Sequence, residues 1–336
     1  MDFSITTENW LPLAFFGLMG LSMLIYAVLD GYDLGVGVLL RGASDEEKDK
    51  MIASIGPFWD ANETWLVLGV GLLLVAFPSA HGIILTNLYL PVVLMLIGLI
   101  LRGVAFDFRV KAKVKYKKAW NNAFWAGSLL ASFAQGYMIG AYILGFEHSL
   151  QAIGFSILVG ACVVAGYALI GACWLIMKSE GALQIKAVKW AKMCLWGMLF
   201  GVVLVSVSTP LVSTRIFEKW FTLPNMFYLM PIPVLTALLV LCLMRTLSKL
   251  PKEGDKHCWV PFAATIGIFV LCFVGLAYSF YPYIIPEKML IVDAASAPEA
   301  LMVIFVGAIV VLPVLLAYTF LAYKIFHGKT KDLSYD

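Results

Sequence analysis

The sequence contains very little charge for its length. Of its 336 residues, only 13% are Asp, Glu, Lys or Arg, and 62% are hydrophobic, whereas an average soluble protein has about 25% charged residues. A soluble fold of this size could not cover its surface with so few charges, so the composition excludes a cytosolic enzyme. The even balance of 24 basic and 21 acidic residues also gives no indication of nucleic-acid binding.

Residues that commonly hold metals and haems are scarce as well. Six cysteines are scattered, mostly in apolar runs, without a C-x-x-C pair, which gives no pattern for a disulfide framework, a zinc site or an iron–sulfur cluster. The four histidines lie at the ends of apolar stretches or between them, and only His81 and His148 are expected on the same outer side. Because a haem inside a helix bundle usually needs axial ligands from facing helices, we expect this chain to bind no haem or metal itself.

Long apolar stretches make up most of the chain. A helix needs about 20 apolar residues to cross a bilayer, and nine such stretches are joined by short connectors. The N-terminus, MDFSITTENW, has no basic segment, so we expect no cleavable signal peptide. The sequence predicts an all-α, polytopic membrane protein whose residues 1–336 form a single transmembrane domain. The predicted spans are 11–40, 53–77, 82–107, 120–146, 152–177, 188–209, 225–247, 259–282 and 299–326.

The distribution of lysine and arginine predicts the orientation, since these residues concentrate on the cytoplasmic side. The loops after the first, third, fifth and seventh spans, with the C-terminal tail, hold 20 of the 24 basic residues, and the alternate loops hold three. The one remaining basic residue, Arg102, lies inside the third span. This alternation predicts an N-out, C-in topology. The basic run KAKVKYKK is then a topology signal that contacts anionic lipid, not an RNA-binding patch.

A few ionisable residues fall within the first three spans, where each costs roughly 2.5–3.5 kcal/mol on insertion scales. Each of the first two spans has two acids three residues apart, and this spacing places them on one helix face. All five acids lie in the predicted cytoplasmic halves of their spans, so we expect one cluster around the arginine. The residues are Asp30, Asp33, Asp60, Glu63, Arg102 and Asp107.

Three interpretations fit these residues. Snorkelling to the interface explains Asp107, which is close to a loop, but not the deeper carboxylates, whose side chains are short. A buried ion-pair network around Arg102 could simply fasten three helices together. Clustered acids beside one arginine can also share a proton and pass it along water, which is the interpretation we favour. The nearby glycines Gly31, Gly35 and Gly37 are predicted to allow close helix packing, not nucleotide binding.

Four motifs make the chain resemble subunit II of cytochrome bd-type quinol oxidases. In chain order they are DGYDLGVG, GPFWDANETWL, LRGVAFDFR and YPYIIP…DAAS. The resemblance covers nearly the whole chain, and the combinations WD-x-N and R-x4-D-[FY]-R are unusual in membrane proteins. The short connectors are similar to those of the cyanide-insensitive branch of the family. The resemblance implies two four-helix bundles plus a peripheral helix, in the bacterial inner membrane.

The same resemblance implies an activity and partners. The chain would be the haem-free subunit of a quinol:O2 oxidoreductase, whose partner subunit I carries haems b558, b595 and d. That complex oxidises quinol on the outer side and reduces O2 to water with protons drawn from the cytoplasm. Small single-span accessory subunits can join it, and some members of the family hold a quinone in subunit II.

The proton path of the family can be carried over residue by residue. Asp30, Asp60 and Asp107 match its acids, and Arg102 matches an arginine beside it. We expect Asp60 to be the gate, with Asp30 and Asp107 nearer the cytoplasm. The same motifs contain the two remaining acids, Asp33 and Glu63. Members of the family can carry Gln at the position of Glu63.

Two other functions stay open at this stage. A proton-coupled secondary transporter would also use intramembrane acids and an arginine, but it predicts inverted repeats and broken helices, which we do not find in the sequence. A purely structural membrane scaffold for a haem-bearing partner would use the same charges only as ion pairs. Co-isolation with a haem-rich partner would exclude a lone transporter, and an Asp60→Asn substitution would separate a proton conduit from a scaffold.

Overall fold

The computed structural model describes residues 9–330, and helices dominate this part of the chain. The expectation about a signal peptide and Lys331 of the basic tail lie outside the described residues. The helices are α1 (Trp10–Leu39), α2 (Asp45–Ile55), α3 (Trp59–Ala76), α4 (Pro78–Asn87), α5 (Tyr89–Lys111), α6 (Val114–Ile143), α7 (Leu150–Lys178), α8 (Gly181–Val212), α9 (Thr214–Phe221), α10 (Asn225–Leu229), α11 (Pro231–Lys249), α12 (Val260–Phe280), α13 (Ile291–Ala294) and α14 (Pro298–Ile325). A small antiparallel hairpin, β1 (Tyr283–Ile285) and β2 (Met289–Leu290), lies between α12 and α13.

The described residues contain seven helical segments that are long and apolar enough to cross a membrane, or eight if the bent pair α2–α3 is one span. This confirms a predominantly helical chain with many apolar helices that can span a membrane, but not the predicted number of nine. The difference is α6, which coincides with the predicted span 120–146. It is long enough, but basic residues occupy its first turns and polar side chains such as Ser128 and Gln135 are buried along it.

The predicted span 53–77 is broken in the structure. Helices α2 and α3 meet at an angle of 51°, and the break falls between Ile55 and Trp59. Pro57 explains it, because proline has no backbone N–H and cannot donate the next hydrogen bond of α2. The predicted span therefore joined two helices of different direction.

The predicted span 82–107 is also interrupted, at Leu88 between α4 and α5. Pro91 lies in the first turn of α5, where it cannot donate the hydrogen bond that would continue α4. The apolar helix that can cross the membrane begins at Tyr89 and ends at Lys111.

Close packing of α1 against α7 organises the largest cluster of buried apolar residues, which also includes α8, α11 and α12. A Cβ atom added to Gly35 would lie 1.7 Å from the carbonyl oxygen of Tyr167, and one added to Gly37 would lie 2.1 Å from the Ser128 hydroxyl oxygen. An added Cβ on Gly31 would meet the Tyr167 ring at 2.8 Å. The predicted role of these three glycines in close helix packing is confirmed.

Replacing Gly35 with alanine is expected to lower the free energy of unfolding by about 1–3 kcal/mol or more, since the methyl group would overlap backbone atoms of α7. SDS-induced unfolding of the purified protein would measure the loss. Gly17→Ala is the matched control, because it lies on the same helix and an added Cβ there meets no atom within 4 Å. Equal stability of the two variants would contradict the prediction.

Candidate functional site

Arg102 joins three helices at the centre of the site. Its Nη1 donates to Asp30 Oδ1 at 2.7 Å, and its Nη2 forms an ion pair with Glu63. Arg102 is only 1% exposed and the Asp30 side chain is fully buried, whereas the Glu63 side chain is 28% exposed. A buried guanidinium needs such partners to offset the loss of its hydration. These residues, which link α5 to α1 and α3, are called the arginine cluster below.

Trp59 covers one side of this cluster. Its ring lies 6.0 Å from the guanidinium carbon of Arg102 and 4.9 Å from the ring of Phe106, centroid to centroid. The same tryptophan thus touches both the buried cation and α5.

Asp33 belongs to a second network, one turn closer to the end of α1. Its Oδ2 accepts a hydrogen bond of 2.7 Å from Asn62 Nδ2, which is also 3.0 Å from the Tyr32 hydroxyl. The Tyr32 hydroxyl lies 2.6 Å from that of Tyr323 on α14. Among the described residues no cation pairs with Asp33, and its Oδ1 is buried without a hydrogen-bond partner. These four residues are called the Asp33 network below.

Aromatic rings surround the Asp33 network. Tyr32 stacks on Trp174 with 4.2 Å between the ring centroids, and Phe58 stacks on Tyr323 at 4.5 Å. Lys178 lies 5.1 Å from the Trp174 ring and donates its ammonium hydrogen to a backbone carbonyl after α14. This enclosure keeps bulk water away from Asp33 and strengthens any electrostatic interaction there.

Asp60 and Asp107 lie on the surface of the chain. Asp60 occupies the first turn of α3 and Asp107 the last two turns of α5, and both are exposed. Asp60 is close enough to Glu63 for an electrostatic interaction, but no hydrogen bond or ion pair is found for Asp107 within residues 9–330. Five of the six residues lie within electrostatic range of one another, because Asp33 also interacts with Asp30, Arg102 and Glu63. Their hydrogen bonds nevertheless divide between two buried networks, and Asp60 and Asp107 are at the surface.

The sequence reasoning gave no role to two buried amides, Asn62 and Gln135, although Asn62 is part of the WD-x-N motif. Asn62 bridges Asp33 to two tyrosines, and Gln135 lies between the hydroxyls of Tyr26 and Tyr167 at 2.7 and 2.8 Å. Asn62 and Gln135 each interrupt an apolar run, so a search for buried amides would have found them. Tyrosines give no such signal, since they are common in membrane proteins.

The described residues offer no ligand set for a metal or haem. They contain no group of three or more His, Cys, Asp or Glu side chains that could hold a metal ion. The four histidines all lie in this part of the chain, and each is partly or fully exposed. Axial histidines of a haem inside a bundle are usually buried, and none of these four is.

Comparison with known proteins agrees with the motifs. Residues 11–326 match the family described as cytochrome bd terminal oxidase subunit II. The chain is 29% identical over 323 residues to cytochrome bd ubiquinol oxidase subunit 2 of Bacillus subtilis (strain 168), covering 90% of this chain and 91% of that protein. It is 27% identical over 363 residues to cytochrome bd-I ubiquinol oxidase subunit 2 of Escherichia coli (strain K12), covering 94% of each.

The fold is similar to a chain of the bd oxidase from Geobacillus thermodenitrificans, with a TM-score of 0.75 at 16% identity, over 94% of this chain and 98% of that one. At this identity the likeness concerns the fold. The family match, which spans nearly the whole sequence, goes further and confirms the resemblance seen in the four motifs. The chain therefore belongs to the cytochrome bd terminal oxidase subunit II family.

Proposed function

We propose that this chain is the haem-free subunit II of a quinol oxidase of the bacterial inner membrane. In this role it stabilises the haem-bearing subunit I and supplies protons from the cytoplasm for the reduction of O2 to water. Quinol and O2 are the substrates, and haems b558, b595 and d belong to subunit I. The relatives from Bacillus subtilis and Escherichia coli are subunits of ubiquinol oxidases, which supports the substrate class.

The proposed topology has nine spans with the N-terminus outside. Adding α6 and the bent pair α2–α3 to the seven apolar segments gives this number. Basic residues then face the cytoplasm at the end of α1, the start of α2 and the end of α5. Both buried networks lie nearer this side than the opposite one, because Asp33 is six residues, or about 9 Å, before the end of α1.

The Asp33 network is the observation that carries the proposal. A fully buried carboxyl group without a paired cation is costly as an anion and is well suited to hold a proton. Asn62 donates to one oxygen of Asp33, which leaves Oδ1 as the atom that can bind the proton. Each electron that reaches O2 in a low-dielectric site must be matched by a proton, and such a group can deliver one.

The other predicted residues have distinct parts in this proposal. Asp60 and Asp107 are surface acids where protons gather, with Asp60 as the gate because it is next to Glu63. Arg102 holds Asp30 and Glu63 in place through its ion pairs. Asp30, which the motifs match to an acid of the path, therefore keeps a cation partner, and Asp33 carries the proton in its place. Oxidising quinol outside while taking protons from inside separates charge across the membrane without a pump.

Substitution of Asp60 by asparagine tests the path. Turnover of the complete oxidase is expected to fall by about tenfold or more, because a surface proton acceptor is lost while water and Glu63 replace it only in part. The measurement is quinol-dependent O2 consumption with the haem content determined in parallel. The control is Glu299→Gln, which neutralises an exposed acid in the first turn of α14, away from the site.

Two outcomes would favour other functions. Full turnover with normal haems in Asp60→Asn would remove Asp60 from the path, and loss of the haems would favour a structural scaffold. The ion pairs of Arg102 are what such a scaffold would use to fasten α1, α3 and α5. The 51° break before α3 is a feature that transporters also show, but the family match over residues 11–326 favours the oxidase.

A further inference from the structure

A row of three neutral side chains extends from the arginine cluster into the interior, away from the basic end of the bundle. Tyr26 lies one turn before Asp30 on α1, Gln135 is on α6 and Tyr167 is on α7. Gln135 Nε2 donates to the Tyr26 hydroxyl oxygen at 2.7 Å, and the Tyr167 hydroxyl donates to Gln135 Oε1 at 2.8 Å. All three side chains are buried. The row ends in the interior, so it is not a passage to the surface.

The two hydrogen bonds of this row both run towards Tyr26. The amide of Gln135 receives one hydrogen from Tyr167 and gives one to Tyr26, so the hydroxyl hydrogen of Tyr26 is left to donate elsewhere. Asp30 is the acid that interacts with Tyr26. Its Oδ2 is buried and has no hydrogen-bond partner among the described residues, while its Oδ1 accepts from Arg102.

The opposite orientation of the Gln135 amide is disfavoured by the charge at the end of the row. With the amide reversed, Tyr26 would donate to Gln135 and would turn its lone pairs towards the Asp30 carboxylate. Two electron-rich oxygens would then face each other in a low-dielectric interior, where the repulsion is poorly screened. The anion at one end thus selects the direction of both hydrogen bonds of the row.

We propose that Tyr26, oriented by Gln135 and Tyr167, is a positioning residue that directs its hydroxyl hydrogen onto Asp30 Oδ2 and keeps Asp30 ionised during turnover. Both oxygens of Asp30 then have donors, whereas Asp33 keeps one oxygen free for a proton. The two acids of one motif are thereby given opposite charge states by their surroundings. These opposite charge states rest on the proposed proton path, in which Asp33 carries the proton and Asp30 does not.

The charge state of Asp30 depends on groups from four helices. Arg102 is the one cation among them in the described part of the chain, and it is shared with a second acid. Without the Tyr26 hydroxyl, Asp30 would therefore be stabilised only by Arg102, whose other terminal nitrogen pairs with Glu63. The titratable groups that face Asp30 are Tyr26 and Asp33 on α1, Glu63 on α3, Arg102 on α5 and Tyr167 on α7.

Tyr26→Phe in the complete oxidase tests the proposal. Infrared difference spectroscopy at neutral pH is expected to show a new protonated carboxyl signal, which disappears again in Tyr26→Phe/Asp30→Asn. The acid limb of the turnover–pH profile is expected to move to higher pH by about one unit, as for the loss of one hydrogen bond to a charged group. The control is Tyr142→Phe, which removes a hydroxyl from α6 that instead donates to the Ile284 carbonyl.

The outcomes separate this inference from the proton path. A wild-type infrared spectrum and pH profile in Tyr26→Phe would overturn the role of Tyr26, even where Asp30→Asn abolishes turnover. Full turnover in Asp33→Asn would overturn the proton path, and the infrared signal of Tyr26→Phe would still decide the role of Tyr26. If Tyr26→Phe does not assemble with its haems, the infrared spectrum and pH profile of Tyr167→Phe test the role instead. This variant removes the hydroxyl hydrogen that Tyr167 donates to Gln135 and that orients the amide.

Discussion

Replacement of Arg102 with methionine is expected to destabilise the folded chain by about 3–5 kcal/mol, the usual cost of removing one partner from a buried ion pair. Methionine matches much of the volume of the arginine side chain, so the loss comes from charge. Asp30 would be left as an anion in a site that is closed to water, because its side chain is fully buried. SDS-induced unfolding of the purified protein would measure the change in free energy.

A second substitution separates charge from packing. Arg102→Met/Asp30→Asn is expected to recover much of the lost stability, because no buried carboxylate then lacks a cation. Arg245→Met is the matched control, since Arg245 is exposed near the end of α11 and its loss should change stability by less than about 0.5 kcal/mol. No recovery in the double variant would show that uncompensated charge is not the cause.

Asp33→Asn is expected to lower quinol-dependent turnover by about 10²–10⁴-fold, the contribution of a positioned proton-transfer group. Asparagine has nearly the same shape, and its carbonyl oxygen can still accept the hydrogen bond from Asn62 that Asp33 accepts now. Only the capacity to bind and release a proton is removed. Turnover should be measured with the haem content and the thermal stability of the complete oxidase.

The control for this variant is Asp293→Asn, which neutralises an exposed acid on the short helix α13, far from the network in sequence and on a different element. Its turnover should match that of the wild type. Normal turnover in Asp33→Asn would exclude the carboxyl group as a proton carrier. Loss of the haems with turnover would instead assign Asp33 a structural role.

Hydropathy predicted the helices well because burial in lipid and burial in protein select the same apolar residues. Hydropathy failed to predict the end of a helix where no polar residues separate it from the next helix. The bend at Pro57 and the interruption near Pro91 both lie in apolar surroundings, where a backbone effect of proline has no signal in hydropathy. In α6 the reverse holds, since its buried amide and hydroxyl groups lower its hydropathy although they face other helices.

The site was predicted in composition but not in arrangement. Spacing placed Asp30 and Asp33 on one stretch of α1, but three residues correspond to a separation of about 60° around the helix axis. This angle is enough to turn one carboxyl group towards Arg102 and the other towards Asn62. Which helix lies in each direction depends on tertiary packing, as does the exposure of Asp60, and neither follows from spacing alone.

The attachment of α14 has a consequence for the hydration of the site. Leu301 is the one buried residue described in this helix of 28 residues, and partly buried residues recur every three or four positions along it. Phe305 touches Trp10 at one end, and Tyr323 closes the Asp33 network at the other. The dry surroundings of Asp33 therefore last only while the final turns of α14 stay docked. Access of water to the acid thus depends on how α14 docks against the core, because Tyr32 and Trp174 of the same enclosure belong to α1 and α7.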